Sequence, residues 1–256
     1  MVTGCGDKYR RSISGFLIGL AGGIFGGLVG LGGGIVMIPL MAWLLRLTQH
    51  QAHGTSLVAI VFVSIVGAGT YFINNNTDWK AAFLLAVSSI VAVKFGARYA
   101  HSLSEKKLRK VFGTYTVCMS ILLLLKGMLF NTVLGLNMWT KIAVLLFTGA
   151  TTGFVSGMMG VGGGAIMVPA LVILVGMPQH IAQGTSLLAM VPTSASGAYS
   201  YHKLGNVVTD IFLFLAFGSI VGSYLGGAMA NILPEVFLRV LFAVILIWMG
   251  IKYMIK

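Results

Sequence analysis

The chain has 256 residues, of which 57% are hydrophobic and 9% charged, and its formal net charge is +12. A mean hydropathy of +0.96 excludes an ordinary soluble domain, which would carry far more charge. No basic stretch is interleaved with aromatic residues, so the charge reads as membrane topology and not as a nucleic-acid surface. The expected partners are a lipid bilayer and a small solute.

Taken in chain order, the apolar segments of the first half run over roughly 13–31, 35–47, 55–73, 80–100 and 108–130. Those of the second half run over roughly 140–159, 165–177, 185–203, 209–230 and 235–255. Most approach the length of about 20 residues that crosses a bilayer as helix. The opening run, behind Lys8, Arg10 and Arg11, has the outline of a secretory signal. It flows directly into a glycine motif with a twin in mid-chain, and is therefore expected to be a structural segment. Cys5 precedes any apolar segment and is not a lipoprotein cysteine; Cys5 and Cys118 read as unrelated packing thiols.

Shifting the chain by 130 positions aligns it with itself. Gly30-Leu-Gly-Gly-Gly-Ile-Val-Met-Ile-Pro39 lies over Gly160-Val-Gly-Gly-Gly-Ala-Ile-Met-Val-Pro169 with six identities in ten. Gln49-His-Gln-Ala-His-Gly-Thr-Ser-Leu-Val-Ala59 lies over Gln179-His-Ile-Ala-Gln-Gly-Thr-Ser-Leu-Leu-Ala189 with eight in eleven. The same offset pairs Ser64 with Ser194, Tyr71 with Tyr201, and Glu105 with Glu235. A repeat of this length suits a duplicated transporter half. The expected fold is an all-α polytopic membrane protein of two inverted repeats, residues 1–130 and 131–256, forming one integrated domain. Each repeat begins with a broken, re-entrant helical hairpin, because its second segment is short and only a glycine triplet separates it from the first.

Charge placement supports the inversion. With the N-terminus in the cytoplasm, a returning hairpin leaves Arg46 inside, 74–80 outside, and Arg98, Lys106, Lys107, Arg109 and Lys110 inside. The second half then starts from outside, with an uncharged external loop at 177–183, Lys203 inside, and Lys252 and Lys256 inside. A single crossing per hairpin would send the cluster from Arg98 to Lys110 outward, against the positive-inside rule. Both termini are therefore expected in the cytoplasm.

Four motifs are candidates for chemistry. The triplets Gly32, Gly33, Gly34 and Gly162, Gly163, Gly164 permit unwound backbone, which survives in a membrane only where protein or water satisfies it. Helix N-termini created there would present free N–H groups to an anion. Pro39 and Pro169 follow as expected break or hinge positions, whereas the stripes Gly15, Gly19, Gly23, Gly27 and Gly218, Gly222, Gly226 read as helix packing. Gly54-Thr55-Ser56 and Gly184-Thr185-Ser186 are expected to open the third segment of each half, either capping it or donating to oxyanion oxygens. His50 and His180 precede these motifs in the loop; interfacial hydrogen bonding, substrate contact and proton coupling all fit them. His53 is matched by Gln183, so that position asks for a side-chain donor and not a titrating base.

Absent chemistry narrows the field further. The five acids, Asp7, Asp78, Glu105, Asp210 and Glu235, fall in the tail, loops or segment ends, unlike the intramembrane carboxylates of cation and proton carriers. No metal site, cofactor site or catalytic constellation is readable, so the chain is expected not to be an enzyme. Lys94 and Lys126 read as snorkelling residues near segment ends.

The doubled Gly-(Leu/Val)-Gly-Gly-Gly-x-x-Met-(Ile/Val)-Pro followed by (His/Gln)-Gly-Thr-Ser-Leu resembles the sulfite exporter TauE/SafE family over essentially the whole chain. The resemblance implies a permease of the cell inner membrane for sulfite or small organosulfonates. Position by position it implicates Gly32–Gly34, Pro39 and His53–Ser56, with Gly162–Gly164, Pro169 and Gln183–Ser186. The function expected is a secondary transporter of small anions by alternating access. A passive channel of the same architecture and a carrier of non-sulfur anions such as carboxylates are the alternatives.

Overall fold

A computed structural model describes residues 5–100, 117, 121 and 137–255; Lys126 and, apart from 117 and 121, the fifth expected segment, 108–130, lie outside them. Among the described residues the chain is helical, with no strand. The helices are α1 (Cys5–Val29), α2 (Gly34–Leu44), α3 (Gln49–Ile73), α4 (Trp79–Tyr99) and α5 (Met138–Met159). They continue with α6 (Gly164–Ile173), α7 (Gln179–Lys203), α8 (Phe212–Ile232) and α9 (Glu235–Ile255). Helices α1, α3, α4, α5 and α8 are long and apolar enough to cross a membrane. The protein is an all-α polytopic membrane protein.

The short helices α2 and α6 have 11 and 10 residues, which at about 1.5 Å per residue reach only about half of a hydrocarbon core. Helix α2 folds back along α1: a β-carbon on Gly26 would lie 2.6 Å from the Gly33 nitrogen, and one on Gly22 would meet Met37. Pro39 and Pro169 were expected to break the chain, but both lie inside these helices. Each removes only the bond to the carbonyl four residues earlier. The break is made upstream by the glycines.

Helices α3 and α7 cross at the centre, and each also packs on the other half: α3 on α8, α7 on α4. The end of α3 meets the beginning of α7, since a β-carbon on Gly67 would lie 3.0 Å from Leu187. The converse contact follows at Gly197, 3.1 Å from Leu57. Two further pairs, α1 with α8 and α5 with α4, pack backbone against backbone along their glycines. There a side chain on Gly19, Gly222 or Gly153 would run into the Leu215, Leu20 or Ser89 carbonyl. The glycine stripes are packing surfaces. In lipid, where burying apolar area gives helices little drive to associate, such close approach supplies dispersion contacts that bulkier residues would prevent.

Large apolar side chains face outward on α4, α5 and α8, including Phe83, Phe95, Phe147, Phe217 and Tyr224. This is the surface a bilayer covers. Lys94 is exposed on α4, among these residues. Inside, Leu31, Met37, Ile60, Met167, Met190 and the aromatic pair Tyr71 and Tyr201 are fully buried.

Candidate functional site

The two glycine motifs meet in the protein centre. Gly30, Gly32 and Gly33 have φ of 74°, 77° and 79°, and Gly160, Gly162 and Gly163 have φ of 67°, 88° and 90°. Gly33 and Gly163 are the N-cap residues of α2 and α6, and neither cap has a side-chain acceptor. The first N–H groups of a helix have no partner within it. Both short helices therefore begin in buried surroundings with donors not served by a cap.

The beginnings of α2 and α6 abut each other's break. A β-carbon on Gly34 would lie 2.8 Å from the Gly160 oxygen, and one on Gly164 would lie 2.7 Å from Leu31 Cα. Gly32 and Gly162 both rest on the same two residues, Ile60 of α3 and Met190 of α7. These two are themselves equivalent under the offset of 130.

The Gly-Thr-Ser motifs do not open their helices. Helix α3 begins five residues earlier, where Thr48 and Gln51 form a reciprocal capping box, and α7 begins behind Pro178. His50 and His180, expected in a loop, thus lie in the first turns of α3 and α7, as do His53 and Gln183. The capping reading of Thr55 and Ser56 is overturned because stronger local cap chemistry precedes them.

Each motif instead binds the other half. Gly54 lets the Asn206 carbonyl approach, Thr55 Oγ1 accepts from the Val208 N–H at 3.1 Å, and Ser56 Oγ donates to the Gly160 carbonyl at 2.7 Å. Gly184 likewise admits the Asn76 carbonyl, Thr185 Oγ1 accepts from the Asp78 N–H at 2.9 Å, and Ser186 Oγ donates to the Gly30 carbonyl at 3.0 Å. The exchange is reciprocal. It ties the loop of one half to the helix start of the other and holds both glycine breaks in place.

His53 and Gln183 also face the opposite break. A β-carbon on Gly160 would fall 2.7 Å from His53 Cα, and one on Gly30 2.9 Å from Gln183 Cβ. Gln183 is fully buried and its Oε1 accepts from the Tyr71 hydroxyl at 3.0 Å. The equivalent tyrosine, Tyr201, donates to the Gly157 carbonyl at 2.9 Å. His50 and His180 lie one turn further from the glycines. Beside His180, the Gln179 N–H donates to Glu235 Oε1 at 3.1 Å, and Glu235 is paired with Arg239 at 2.7 Å.

The described acids sit at helix ends. Asp78 caps α4, accepting from the Lys80 and Ala81 N–H groups, and Asp210 lies 4.0 Å from Arg11. The centre is therefore lined by amides, hydroxyls, His53 and apolar side chains, with no carboxylate among the described residues placed against the glycines. Among the described residues no group of three or more His, Cys, Asp or Glu is positioned to hold a metal ion.

Sequence reasoning passed over two polar residues here. Thr152 and Ser156 of α5 lie against Gly163 and are fully buried. The signal was present in the repeat, where the offset of 130 pairs them with Gly22 and Gly26. Glycine in one half against threonine and serine in the other is a mismatch, which identity between the halves does not reveal.

A helical membrane protein with two discontinuous helices meeting at its centre has the architecture of a membrane transporter. The comparisons agree: residues 15–253 match the family model described as "Sulfite exporter TauE/SafE", and the chain belongs to that family. It is 31% identical over 226 residues to a probable membrane transporter protein of Xylella fastidiosa, covering 85% of this chain and 83% of that protein. It is 25% identical to the probable membrane transporter protein YdhB of Bacillus subtilis, over 88% and 91% of the two chains. A probable membrane transporter protein of Methanocaldococcus jannaschii is 27% identical over 93% of this chain and 92% of its own. No solved structure matches the chain.

Proposed function

We propose that this transporter is a secondary carrier of small anions, with sulfite and small organosulfonates as its substrate class. It works by alternating access between inverted halves 1–130 and 131–256, in the cell inner membrane with both termini cytoplasmic. The observation that carries the reading is the meeting of two uncapped helix N-termini, at Gly33 and Gly163, in a buried centre where no described carboxylate lies against the glycines. Free N–H groups and the positive helix ends favour an anion there, and a low-dielectric surround strengthens that attraction. The reciprocal bonds of Ser56 and Ser186 support paired rocking halves, since the same contacts recur on both sides of the α3–α7 crossing. The description of the family as a sulfite exporter supports the sulfur-anion class.

The test is flux in proteoliposomes loaded and fed with sulfite, taurine or acetate. A carrier gives saturable uptake that is accelerated by the same anion on the far side. Fast, non-saturating flux without counterflow would make the protein a channel, and uptake of acetate alone would remove the sulfur class.

A further inference from the structure

The two breaks are related by sequence but differ in what surrounds them. In the first half, Gly33 packs on the backbone of Gly22, and Gly26 lies against Gly32 and Gly33, so a β-carbon on Gly26 would sit 2.6 Å from the Gly33 nitrogen. That joint is backbone on backbone. In the second half, the equivalents of Gly22 and Gly26 are Thr152 and Ser156. Their side chains flank Gly163, the N-cap of α6, with Thr152 Cγ2 occupying the place a β-carbon would take and Ser156 Cβ 3.6 Å from it.

Both residues are 0% exposed, and neither hydroxyl has a hydrogen-bond partner. That is unusual for a helix, where serine and threonine can bond the carbonyl three or four residues earlier. Other hydroxyls of this protein do so: Thr151 to Phe147 at 3.0 Å, Thr193 to Ala189 at 2.8 Å, Ser200 to Ser196 at 2.9 Å. Ser64, Ser194 and Ser219 are also buried without a partner, but none of them is among the nearest neighbours of a break glycine. Thr152 and Ser156, one turn apart beside an uncapped helix start, leave two buried donors unspent there. A polar group buried in this way is costly unless something binds it.

We infer that the halves divide the work: the anion is held at the second break, by the Thr152 and Ser156 hydroxyls together with the first N–H groups of α6. The first break, where Gly22 and Gly26 bring no hydroxyl and the one unspent donor against its glycines is the Gln183 amide beside Gly30, moves without binding. The inference rests on the anion-carrier reading and deepens it by naming an asymmetric site. The ligand it fits is a compact oxyanion with at least two acceptor oxygens, one set toward the helix end and one toward the α5 hydroxyls.

The experiment is thermal stabilisation of the purified protein by sulfite, taurine and acetate, since a ligand that binds the folded state raises its melting temperature. It is read for the unaltered chain and for Thr152→Val, Ser156→Ala, Thr152→Ser and Thr151→Val. Thr152→Val and Ser156→Ala are expected to weaken the stabilising anion by about tenfold each, the effect of losing one hydrogen bond to a charged group. Their ligand-free melting temperatures are expected to equal or exceed that of the unaltered chain, because each removes an unspent buried hydroxyl. Thr152→Ser and Thr151→Val are expected to bind normally. Normal binding by Thr152→Val and Ser156→Ala would overturn the asymmetric site and leave the carrier reading intact. A fall in their ligand-free melting temperature, or failure to fold, would make the hydroxyls structural and also overturn it. No stabilisation of the unaltered chain by any of the three anions would overturn both readings.

Discussion

The Ser56 hydroxyl donates a 2.7 Å hydrogen bond to the Gly160 carbonyl, 104 residues away, and the carbonyl belongs to the first left-handed glycine of the opposite break. Ser186 makes the same bond to Gly30. Each half thereby holds the unwound backbone of the other, so neither break can shift without loosening a contact across the α3–α7 crossing.

Removing either bond should cost stability. Ser56→Ala and Ser186→Ala each leave a buried carbonyl without this donor, a loss of about 1–3 kcal/mol. Melting of the purified protein in detergent checks it. A normal melting temperature with abolished flux would instead put the hydroxyls on the ligand.

The glycine caps differ in how they can be repaired. A β-carbon on Gly33 clashes with the Gly22 carbonyl, whereas one on Gly163 clashes only with the Thr152 methyl group. Both alanine variants also incur about 1–2 kcal/mol for a left-handed residue. Gly163→Ala should be partly restored by Thr152→Ala, judged by yield of folded protein, while Gly33→Ala should have no side-chain truncation that rescues it. Replacement of either glycine by a bulky residue should abolish flux.

His53 and Gln183 occupy equivalent places against Gly160 and Gly30. His53→Gln is accordingly expected to preserve transport and to leave its pH profile unchanged. A profile that flattens in this variant would make the imidazole a titrating participant.

Topology can be read directly. The Asp78 N–H binds Thr185, which sets the 74–78 loop at the start of α7, and the Val208 N–H binds Thr55 at the start of α3. In a chain with Cys5 and Cys118 replaced by serine, Lys80→Cys should react with an impermeant maleimide in intact cells. Lys203→Cys should react only after permeabilisation. Reaction of both from outside would break the inverted arrangement.

Much of this was legible beforehand, for reasons particular to the residues. Segments 80–100 and 235–255 match α4 and α9 almost to the residue, because lipid demands long apolar runs with polar ends. The segments expected to begin at 55 and 185 begin at Gln49 and Gln179 instead. Polar first turns built from glutamine and histidine look like loop in a hydropathy reading, yet a capping box at Thr48 starts the helix there. The prolines misled in the opposite direction: Pro39 and Pro169 look like breaks but sit inside helices whose start the glycines had already created.

The sequence by itself determined the membrane class, the duplication at 130 residues and the place of both backbone breaks. Apolar run length, internal identity and glycine triplets are properties of neighbours along the chain. Only the tertiary structure decided what those features touch. The Ser56 and Ser186 hydroxyls could have capped their own helices, and were spent instead on carbonyls 104 and 156 residues distant. Such partners are chosen by how the helices pack, which no local pattern encodes. The same packing made one break backbone on backbone and left Thr152 and Ser156 unspent beside the other.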